Sequence, residues 1–282
     1  MSTNTRTVAP TVQGPSVRRA SLTRLGLRQG TVEIKQFLRS REAVVFTMLF
    51  PVMLIVIFGS IFKGQIAPGI GFTQYFVTGM IASGLMAVGF QNLAIQIPIE
   101  RDRGVLKRLR GTPMPRSAYF LGKIAMVLAV GVAETALLLL VAIAFYGVSL
   151  PDTAQRWLTF GWVSLLGITA CTLCGIAFSS LARTGRSAPA VVTPVALALQ
   201  FISGVFFVFT DLPDWMQQIA AVFPLKWMCQ GMRSVFLPDS FAPFEPAGSW
   251  ELGRVALVLG AWVVIGLALC ITTFRWTTRR DG

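Results

Sequence analysis

Long apolar runs alternate with short charged segments along most of this chain. Each run is close to the roughly 20 residues that a helix needs to cross a bilayer. The pattern therefore predicts an all-α integral membrane fold with six transmembrane helices inside a domain that covers residues 43–276. The predicted spans are residues 43–62, 73–97, 118–146, 157–182, 188–210 and 252–274.

The segment before the first span divides into two parts. Residues 1–20 are rich in Thr, Ser, Pro and Arg, so we expect a disordered cytoplasmic tail without a signal peptide. Residues 21–42 have an amphipathic pattern, which predicts a connecting helix that lies in the membrane interface. Its apolar stripe consists of Leu27, Thr31, Ile34 and Leu38, with Phe37 on the flank. An ordinary solvated helix is the alternative.

The most charged stretch of the chain lies between the second and third predicted spans. In the segment 98–123, six of the first nineteen residues are basic, and a loop of this kind favours the cytoplasm. Val105, Leu106 and Leu109 have near-helical spacing, which predicts a short amphipathic helix that ends at Gly111. Such a helix at the mouth of a membrane bundle is suited to contact a soluble partner.

Basic residues also predict the orientation of the chain. If both termini are cytoplasmic, including a short tail at 277–282, then 20 of the 25 Lys and Arg residues lie inside. This asymmetry agrees with the positive-inside rule.

The outer loop between residues 211 and 251 contains two amphipathic segments of about ten residues, joined at Phe223-Pro224. Segments of this length are too short to span a bilayer, so they predict a re-entrant or interfacial helical hairpin. Trp215 and Trp227 suit the level of the lipid headgroups. An ordinary ordered outer loop is the alternative.

Composition and motifs exclude several classes of function. The chain is 54% hydrophobic and 13% charged, which is too apolar for a soluble globule. Its net charge of +13 is distributed between apolar runs, so we expect no nucleic-acid partner. Histidine is absent, and no G-x-x-x-x-G-K-[ST] motif occurs. We therefore predict no catalytic residue, no metal site and no cofactor bound by this chain.

One acidic residue, Glu134, lies near the middle of the third predicted span. A carboxylate in lipid is costly, so we expect it to face the bundle interior. In a functional interpretation, Glu134 lies on a substrate path and binds a cationic amphiphile or a proton. In a structural interpretation, it makes a hydrogen bond between helices with Gln91, Asn92 or Gln200. Aromatic residues at the outer half of the fifth span either line an apolar exit path or contact lipid: Phe201, Phe206 and Phe207.

Three stretches of the chain resemble integral-membrane permease subunits of ABC-2 type exporters, especially the daunorubicin-type drug and antibiotic resistance branch. The first matches the family's cytoplasmic signature E-x-x-[RK]-G-x-L-x-x-L-x-x-T-P … G-K through Glu100, Arg103, Gly104, Leu106, Leu109, Thr112, Pro113, Gly122 and Lys123. The second resembles its outer re-entrant hairpin through Leu212, Pro213, Trp215, Ile219, Pro224, Leu225 and Arg233. The third is the basic helix followed by a first span that contains Pro51.

The resemblance implies a permease of a bacterial plasma (inner) membrane that pairs with a second copy, as a homodimer, above two ATPase subunits that bind ATP and Mg. It implies that residues 100–110 form a coupling helix seated on the ATPase. The residues assigned to this contact are Glu100, Arg103, Gly104, Leu106, Lys107, Leu109 and Arg110.

The same branch suggests export of a lipophilic small molecule, such as a drug or antibiotic, and a lipid or lipid-linked polysaccharide is the alternative substrate. A self-sufficient carrier or channel is a second hypothesis, although such proteins usually show inverted repeats and several intramembrane ionisable groups. A lipid-modifying enzyme is the third, and the chain lacks its catalytic acids and metal motif.

Overall fold

The computed structural model describes residues 21–111 and 115–274, and these residues are mostly helical. The α-helices are α1 (Leu22–Arg39), α2 (Arg41–Val44), α3 (Phe50–Ile61), α4 (Phe72–Met86), α5 (Leu93–Asp102), α6 (Val105–Arg110), α7 (Arg116–Tyr146), α8 (Ala154–Phe178), α9 (Ala188–Ile202), α10 (Asp214–Val222), α11 (Pro224–Phe236) and α12 (Leu252–Thr273). Two π-helical segments and two 3-10 turns accompany them: Val45–Leu49, Ala87–Asn92, Phe209–Asp211 and Asp239–Phe244. The predicted tails at 1–20 and 277–282 lie outside the described residues.

Five helical stretches among the described residues are long and apolar enough to cross a membrane. They are Arg41–Ile61, Phe72–Asp102, Ser117–Tyr146, Ala154–Phe178 and Leu252–Thr273. They correspond to five of the six predicted spans, which confirms an all-α integral membrane architecture at this level. The strands β1 (Gln65–Ala67) and β2 (Ile70–Gly71) form a short antiparallel hairpin that joins the first two of these helical stretches.

The fifth predicted span, 188–210, is wrong in its extent. α9 has 15 residues, or about 22 Å of helix at 1.5 Å per residue, and it ends at Ile202. Gly204 follows in a left-handed conformation with φ 75°, and a Cβ there would lie 2.9 Å from the Cβ of Phe209. The chain therefore folds back on itself where the apolar run continues, and hydropathy alone does not reveal this end.

Two of the long helices contain a π-helical segment that the apolar pattern did not predict. The first, Val45–Leu49, comes immediately before α3, whose first turn contains Pro51. Proline lacks the N–H that would bond the carbonyl of Thr47, and a wider turn accommodates the loss. The second, Ala87–Asn92, joins α4 to α5 within one continuous stretch. The extra residue in such a turn rotates the side chains that follow it.

The centre of the structure is formed by α4 and α11. Every residue of α4 from Tyr75 to Met86 is buried, and so is every residue of α11. α4 packs against α3, α7, α8 and α11, while α11 also packs against α8 and α12. A segment predicted to lie in an outer loop therefore belongs to the core of the molecule, which the sequence pattern did not indicate.

α1 packs lengthwise along α7. The buried face of α1 consists of Gly26, Gly30, Glu33 and Phe37. Small residues allow this close approach, and Gly30, for example, lies directly against Ala125. Leu27 and Leu38 of the predicted apolar stripe remain exposed beside this face. α1 is therefore a packed helix rather than an ordinary solvated one, and its place in the membrane interface stays a prediction.

Candidate functional site at the charged end of the bundle

The charged stretch 98–111 forms two helices rather than one. α5 continues through Asp102, and Gly104 separates it from α6 with a left-handed φ of 69°. This conformation costs other L-residues about 1–2 kcal/mol. The prediction of one coupling helix from Glu100 to Arg110 is therefore wrong in this detail, because Glu100 belongs to the last turn of α5.

α6 is anchored on one side and open on the other. Leu106 is buried, Leu109 is half-buried, and Arg103 and Lys107 are exposed. The guanidinium Nη2 of Arg108 donates a hydrogen bond to the carbonyl of Arg103 at 3.0 Å, which fastens α6 to the turn. Thr112 and Pro113 of the family signature lie outside the described part of the chain, and so does the side chain of Arg110, which was predicted in the coupling contact.

A buried ammonium joins three helices at this end. Lys123 Nζ on α7 donates to Glu33 Oε2 on α1 at 2.8 Å and also to Glu100 Oε1 on α5. The Tyr119 hydroxyl donates to Glu100 Oε2 at 2.9 Å, and Gln29 Nε2 donates to Glu33 Oε1 at 3.0 Å. We call Glu33, Glu100 and Lys123 the three-helix ion cluster.

The three-helix ion cluster is largely removed from solvent. The side chain of Lys123 is 1% exposed, that of Glu33 6% and that of Glu100 13%. Removing charges from water is costly, and only close pairing with further hydrogen bonds compensates for it. The cluster therefore specifies how α1 and α5 sit against α7. Gly122 beside it lets Gln29 approach, since a Cβ there would lie 2.5 Å from Gln29 Cγ.

A cavity of about 670 Å³ opens beside the ion cluster. Its lining combines residues from α1, α2, α5 and α7 with the turn before α6. Pockets that bind organic ligands fall in the range of about 300–1,000 Å³. Asn92, predicted on a substrate path, lines this cavity together with Glu100 and Arg103, which were predicted in the coupling contact.

The α8–α9 loop contacts the end of α5, next to the turn that precedes α6. The backbone N–H of Gly185 donates to the Asp102 carboxylate at 2.6 Å. Gly185 also lies so close to Ile99 that a Cβ would be 2.6 Å from the Ile99 Cα. These contacts join the end of α5 to the loop that precedes α9.

Glu134 lies inside the bundle, where α7 meets α4. A Cβ at Gly84 would be 2.4 Å from Glu134 Oε1, so the carboxyl group occupies the space that this glycine leaves. Neither carboxyl oxygen has a hydrogen-bond partner within the described residues. The predicted hydrogen bonds to Gln91, Asn92 or Gln200 are not formed there. Gln91 and Asn92 belong to a π-helical turn, which changes the direction of their side chains.

The predicted aromatic path residues lie in the last turn of α9 and just after it. Phe206 lies 4.9 Å from Phe201 and 6.2 Å from both Phe58 and Phe76, measured between ring centroids. Phe201 and Phe207 are exposed on the surface of the chain. This group borders α3 and α4 and does not contact the ion cluster cavity, so an exit path and lipid contact both stay open interpretations.

The predicted outer hairpin forms two helices that meet at Phe223-Pro224, as the sequence indicates. Pro213 precedes α10, and Pro224 occupies the first turn of α11, where its missing N–H costs nothing. Trp215 is exposed, but Trp227 is buried, and its Nε1 donates to the carbonyl of Ala221 at 2.7 Å. Packing of α11 into the core therefore keeps Trp227 from contacting lipid, and its position at the headgroup level stays a prediction.

α11 carries a second buried ion pair. Arg233, predicted as a hairpin residue, is completely buried, and its Nη2 donates to Glu245 Oε2 at 3.2 Å. The Arg233 guanidinium also lies 5.1 Å from the centroid of the Tyr75 ring on α4. Burial lowers the pKa of Arg233, but the Glu245 carboxylate more than offsets this and holds the pKa above its ordinary value.

Lys226 is a buried amine near the start of α11. Burial lowers the pKa of Lys226 to about 8. Its Nζ lies 3.6 Å from the centroid of the Trp227 ring and donates to Gln230 Oε1. Gln230 in turn donates to the carbonyl of Trp250 at 3.0 Å, so this group links α11 to the segment before α12.

Sequence reasoning missed the most constrained polar groups. Glu33 is the only acidic residue in the segment 21–41, and its position seven residues after Gly26 could have indicated a packed rather than an exposed side chain. Lys123 was noticed only as part of the family signature. The Asp102–Gly185 contact has no local signal, because it joins positions 83 residues apart.

These features define a class of protein. Within residues 21–111 and 115–274, five long apolar helices, a shorter apolar helix (α9) and a charged helical turn at one end are the features of a multi-pass α-helical membrane protein. The chain belongs to the ABC-2 type transporter family, whose model matches residues 31–237.

Several relatives are named as permeases. The chain is 25% identical over 241 residues to the inner membrane transport permease YadH of Escherichia coli (strain K12), covering 83% of this chain and 91% of the relative. It is 22% identical over 206 residues to the putative transport permease YvfS of Bacillus subtilis (strain 168), covering 70% and 79%. It is 21% identical over 189 residues to the probable multidrug ABC transporter permease YbhR of Escherichia coli (strain K12), covering 67% and 50%. The chain is thus a membrane permease of an ABC transporter and not itself its ATPase.

Proposed function

We propose that this chain forms the membrane path of an ATP-driven exporter that moves a lipophilic small molecule outward, as in the drug and antibiotic exporter branch. Family membership supports the transport role. The name of the multidrug permease relative supports a small-molecule substrate. ATP and Mg would bind to two copies of a separate ATPase subunit, and a second copy of this chain would complete the path as a homodimer.

The observation that carries the proposal is the construction of α6. Its basic residues Arg103 and Lys107 are exposed, while Leu106 anchors the helix and Gly104 sets its angle to α5. An exposed helix that is anchored to the bundle in this way is suited to transmit a displacement by a soluble partner to the membrane helices. We therefore assign α6 and the preceding turn as the coupling segment that contacts the ATPase.

The ion cluster offers a mechanical path from that contact. Closure of the ATPase dimer would displace α6 and the end of α5, and Glu100 would carry the displacement to Lys123 on α7 and to Glu33 on α1. Packed helices respond to such a push by rigid-body rotation rather than by gradual deformation. The Asp102–Gly185 contact would carry the same movement to α9.

The proposal also includes a placement of the helices in the membrane. α9 would serve as the sixth span, with both termini in the cytoplasm and α1 resting in the interface of a bacterial inner membrane. α10 and α11 would form the re-entrant hairpin on the outer side. Glu134 and the aromatic group around Phe206 stay predicted parts of the substrate path.

Charge reversal on α6 tests the proposal. We expect Arg103→Glu or Lys107→Glu, and separately Gly104→Pro, to abolish export while the chain still inserts into the membrane. The reason is that Arg103 and Lys107 are exposed on the proposed contact surface, and that proline cannot adopt the left-handed φ of Gly104, which sets the angle between α5 and α6. The measurement is ATP-dependent export from proteoliposomes that contain the chain and its co-purified ATPase, together with the rate of ATP hydrolysis.

Lys63→Glu provides the matched control, because Lys63 is exposed on the opposite side of the predicted topology. Normal coupled export by the α6 variants would show that α6 does not couple the two subunits. Export by the purified chain without any ATPase would contradict the proposed function as a whole.

A further inference from the structure

α1 carries a row of basic side chains on the side that faces away from the bundle. We call this row the basic stripe, and it consists of Arg24, Arg28, Lys35 and Arg39. With 3.6 residues per turn, the four positions fall within about 60° of one another around the helix axis. Their centre lies about 180° from the centre of the buried face that packs on α7. All four side chains are exposed.

The chain itself does not neutralise the charges of the basic stripe. None of the four side chains forms an ion pair or a side-chain hydrogen bond within the described part of the chain. Glu33, the only acid of α1, lies on the opposite face and pairs with Lys123. α2, which follows, has no net charge, because its only charged residues are Arg41 and Glu42. The stripe therefore presents uncompensated positive charge along the whole length of α1.

An exposed apolar sector lies directly beside the basic stripe. Leu27 and Leu38 are 65% and 61% exposed, and each lies within about 60° of the stripe around the helix axis. Only Ser40 separates α1 from the stretch Arg41–Ile61, which is long and apolar enough to cross a membrane. Exposed apolar side chains continue into that stretch, for example at Phe46. The outward side of α1 thus has a basic sector and an apolar sector, next to the end of a membrane-crossing helix.

We propose that the basic stripe binds the phosphate groups of anionic phospholipids, while Leu27 and Leu38 lie among the upper parts of the acyl chains. A bilayer offers negative phosphates and apolar chains at adjacent depths, which matches the two adjacent sectors of α1. Long Arg and Lys side chains reach the headgroups from a helix that lies in the interface. The inference rests on the placement of α1 under the proposed function, and it adds the class of lipid that the helix recognises.

An acidic protein surface, such as one on the ATPase, would also neutralise the basic stripe. It would have to cover Leu27 and Leu38 as well, and these leucines lie close to the apolar surface of the first long helix. The segment assigned to the ATPase, α6, packs chiefly against α5, so it belongs to a different surface. A lipid surface therefore accounts for the charge and for the exposed leucines together.

Electron paramagnetic resonance of spin-labelled lipids tests the inference. The full chain is reconstituted in phosphatidylcholine bilayers that contain a trace of spin-labelled phosphatidylglycerol or, separately, of spin-labelled phosphatidylcholine. The motionally restricted fraction of each label gives the relative association of the two lipids with the protein. We expect the chain to favour phosphatidylglycerol. The preference should weaken at about 1 M salt, where the screening length is about 3 Å.

Arg28→Gln combined with Lys35→Gln removes the two central charges of the stripe. A basic residue near an anionic surface contributes about fivefold in affinity. The measured preference averages over all lipids around the chain, so we expect the double variant to lower it about two- to threefold. Arg28→Lys combined with Lys35→Arg keeps both charges and should keep the preference. Arg183→Gln combined with Arg186→Gln, in the exposed α8–α9 loop, is the matched control and should leave the preference unchanged.

Three results would overturn the inference. The first is equal association of the two lipids with the wild-type chain, and the second is a preference that the Arg28→Gln/Lys35→Gln variant retains. If that variant also co-purifies poorly with the ATPase, the stripe binds the ATPase instead of lipid. The third is an equal loss in the Arg183→Gln/Arg186→Gln control, which would indicate a general attraction of lipid to positive charge and not a site on α1. Thermal unfolding of each variant monitors the fold.

ATP-driven export, measured in vesicles that also contain the ATPase, separates the inference from the proposed function. A lipid preference that depends on the basic stripe, without any ATP-driven export, would retain the lipid site and reject the exporter. Export by a chain that shows no lipid preference would retain the exporter and reject the lipid site.

Discussion

Two groups of buried charged side chains join separate segments of the described structure. Lys123 connects α1, α5 and α7, and Arg233 connects α11 to the segment that contains Glu245. A buried ion pair contributes little net stability compared with apolar residues of the same size, but breaking it is costly. These groups therefore specify which helices meet more than they stabilise the fold.

Breaking the Arg233–Glu245 pair should be more harmful than removing it. We expect Arg233→Met to destabilise the chain by about 3–5 kcal/mol, because it leaves the Glu245 carboxylate buried and unpaired. The double variant with Glu245→Gln should recover much of that loss. Thermal unfolding in nanodiscs provides the measurement. Arg254→Met, at an exposed pair, is the control, and equal stability of the single and double variants would contradict the prediction.

Lys226 should make stability depend on pH. Its pKa is about 8 in the folded chain and 10.5 ordinarily, so between these values the unfolded state binds a proton that the folded state lacks. Stability attributable to Lys226 therefore rises as the pH increases from about 8 to 10.5, by on the order of 3 kcal/mol.

Lys226→Met removes the titrating group, so the variant should lack this rise in stability. The unfolding free energy of the variant minus that of the wild type should therefore fall as the pH increases across that interval. Comparing the two proteins cancels the titration of other groups. A difference that is constant with pH would show that Lys226 titrates normally in the folded chain.

At the scale of elements, the α8–α9 loop depends on one contact with α5. Asp102 accepts the Gly185 N–H, and Ile99 leaves no room for a larger residue at that position. The loop also carries Arg183 and Arg186, both of which are exposed. Loss of the contact should loosen the loop locally without unfolding the long helices.

Asp102→Ala should increase amide hydrogen exchange in residues 183–187 by about five- to thirtyfold, the effect of losing about 1–2 kcal/mol of local stability. Asp102→Asn keeps an acceptor oxygen and should show a smaller change. Exchange of the α4 amides serves as an internal control. Unchanged protection of residues 183–187 in the Ala variant would mean that other contacts hold the loop.

At the scale of the whole molecule, the distribution of basic residues predicts which end faces the cytoplasm. The charged end with α6 should be inside, and the 3-10 turn Asp239–Phe244 should be outside. Cysteine introduced at Arg108 should react with a membrane-impermeant maleimide only after the cells are opened. Cysteine introduced at Asp239, which is exposed, should react in intact cells. The reversed pattern would invert the topology, and the unsubstituted chain reports the reactivity of its own four cysteines.

Hydropathy predicted the long helices well but not their ends or irregularities. The third and sixth spans agree with α7 and α12 within two residues. The π-helical segments and the early end of α9 were missed, because they depend on how Pro51 and Gly204 are accommodated by neighbouring chain. The spacing of apolar residues also predicted α6 as a short amphipathic helix. It did not predict that Gly104 separates α6 from α5.

The sequence by itself determined that this is an all-α membrane protein, because long apolar runs and local charge are properties of neighbouring residues. Only the tertiary structure decided that Glu33, Glu100 and Lys123 meet, that α11 is buried, and that Glu134 faces Gly84 without a polar partner. These facts depend on which helices are adjacent. Adjacency is decided by packing between residues far apart in the chain, and no local pattern records it.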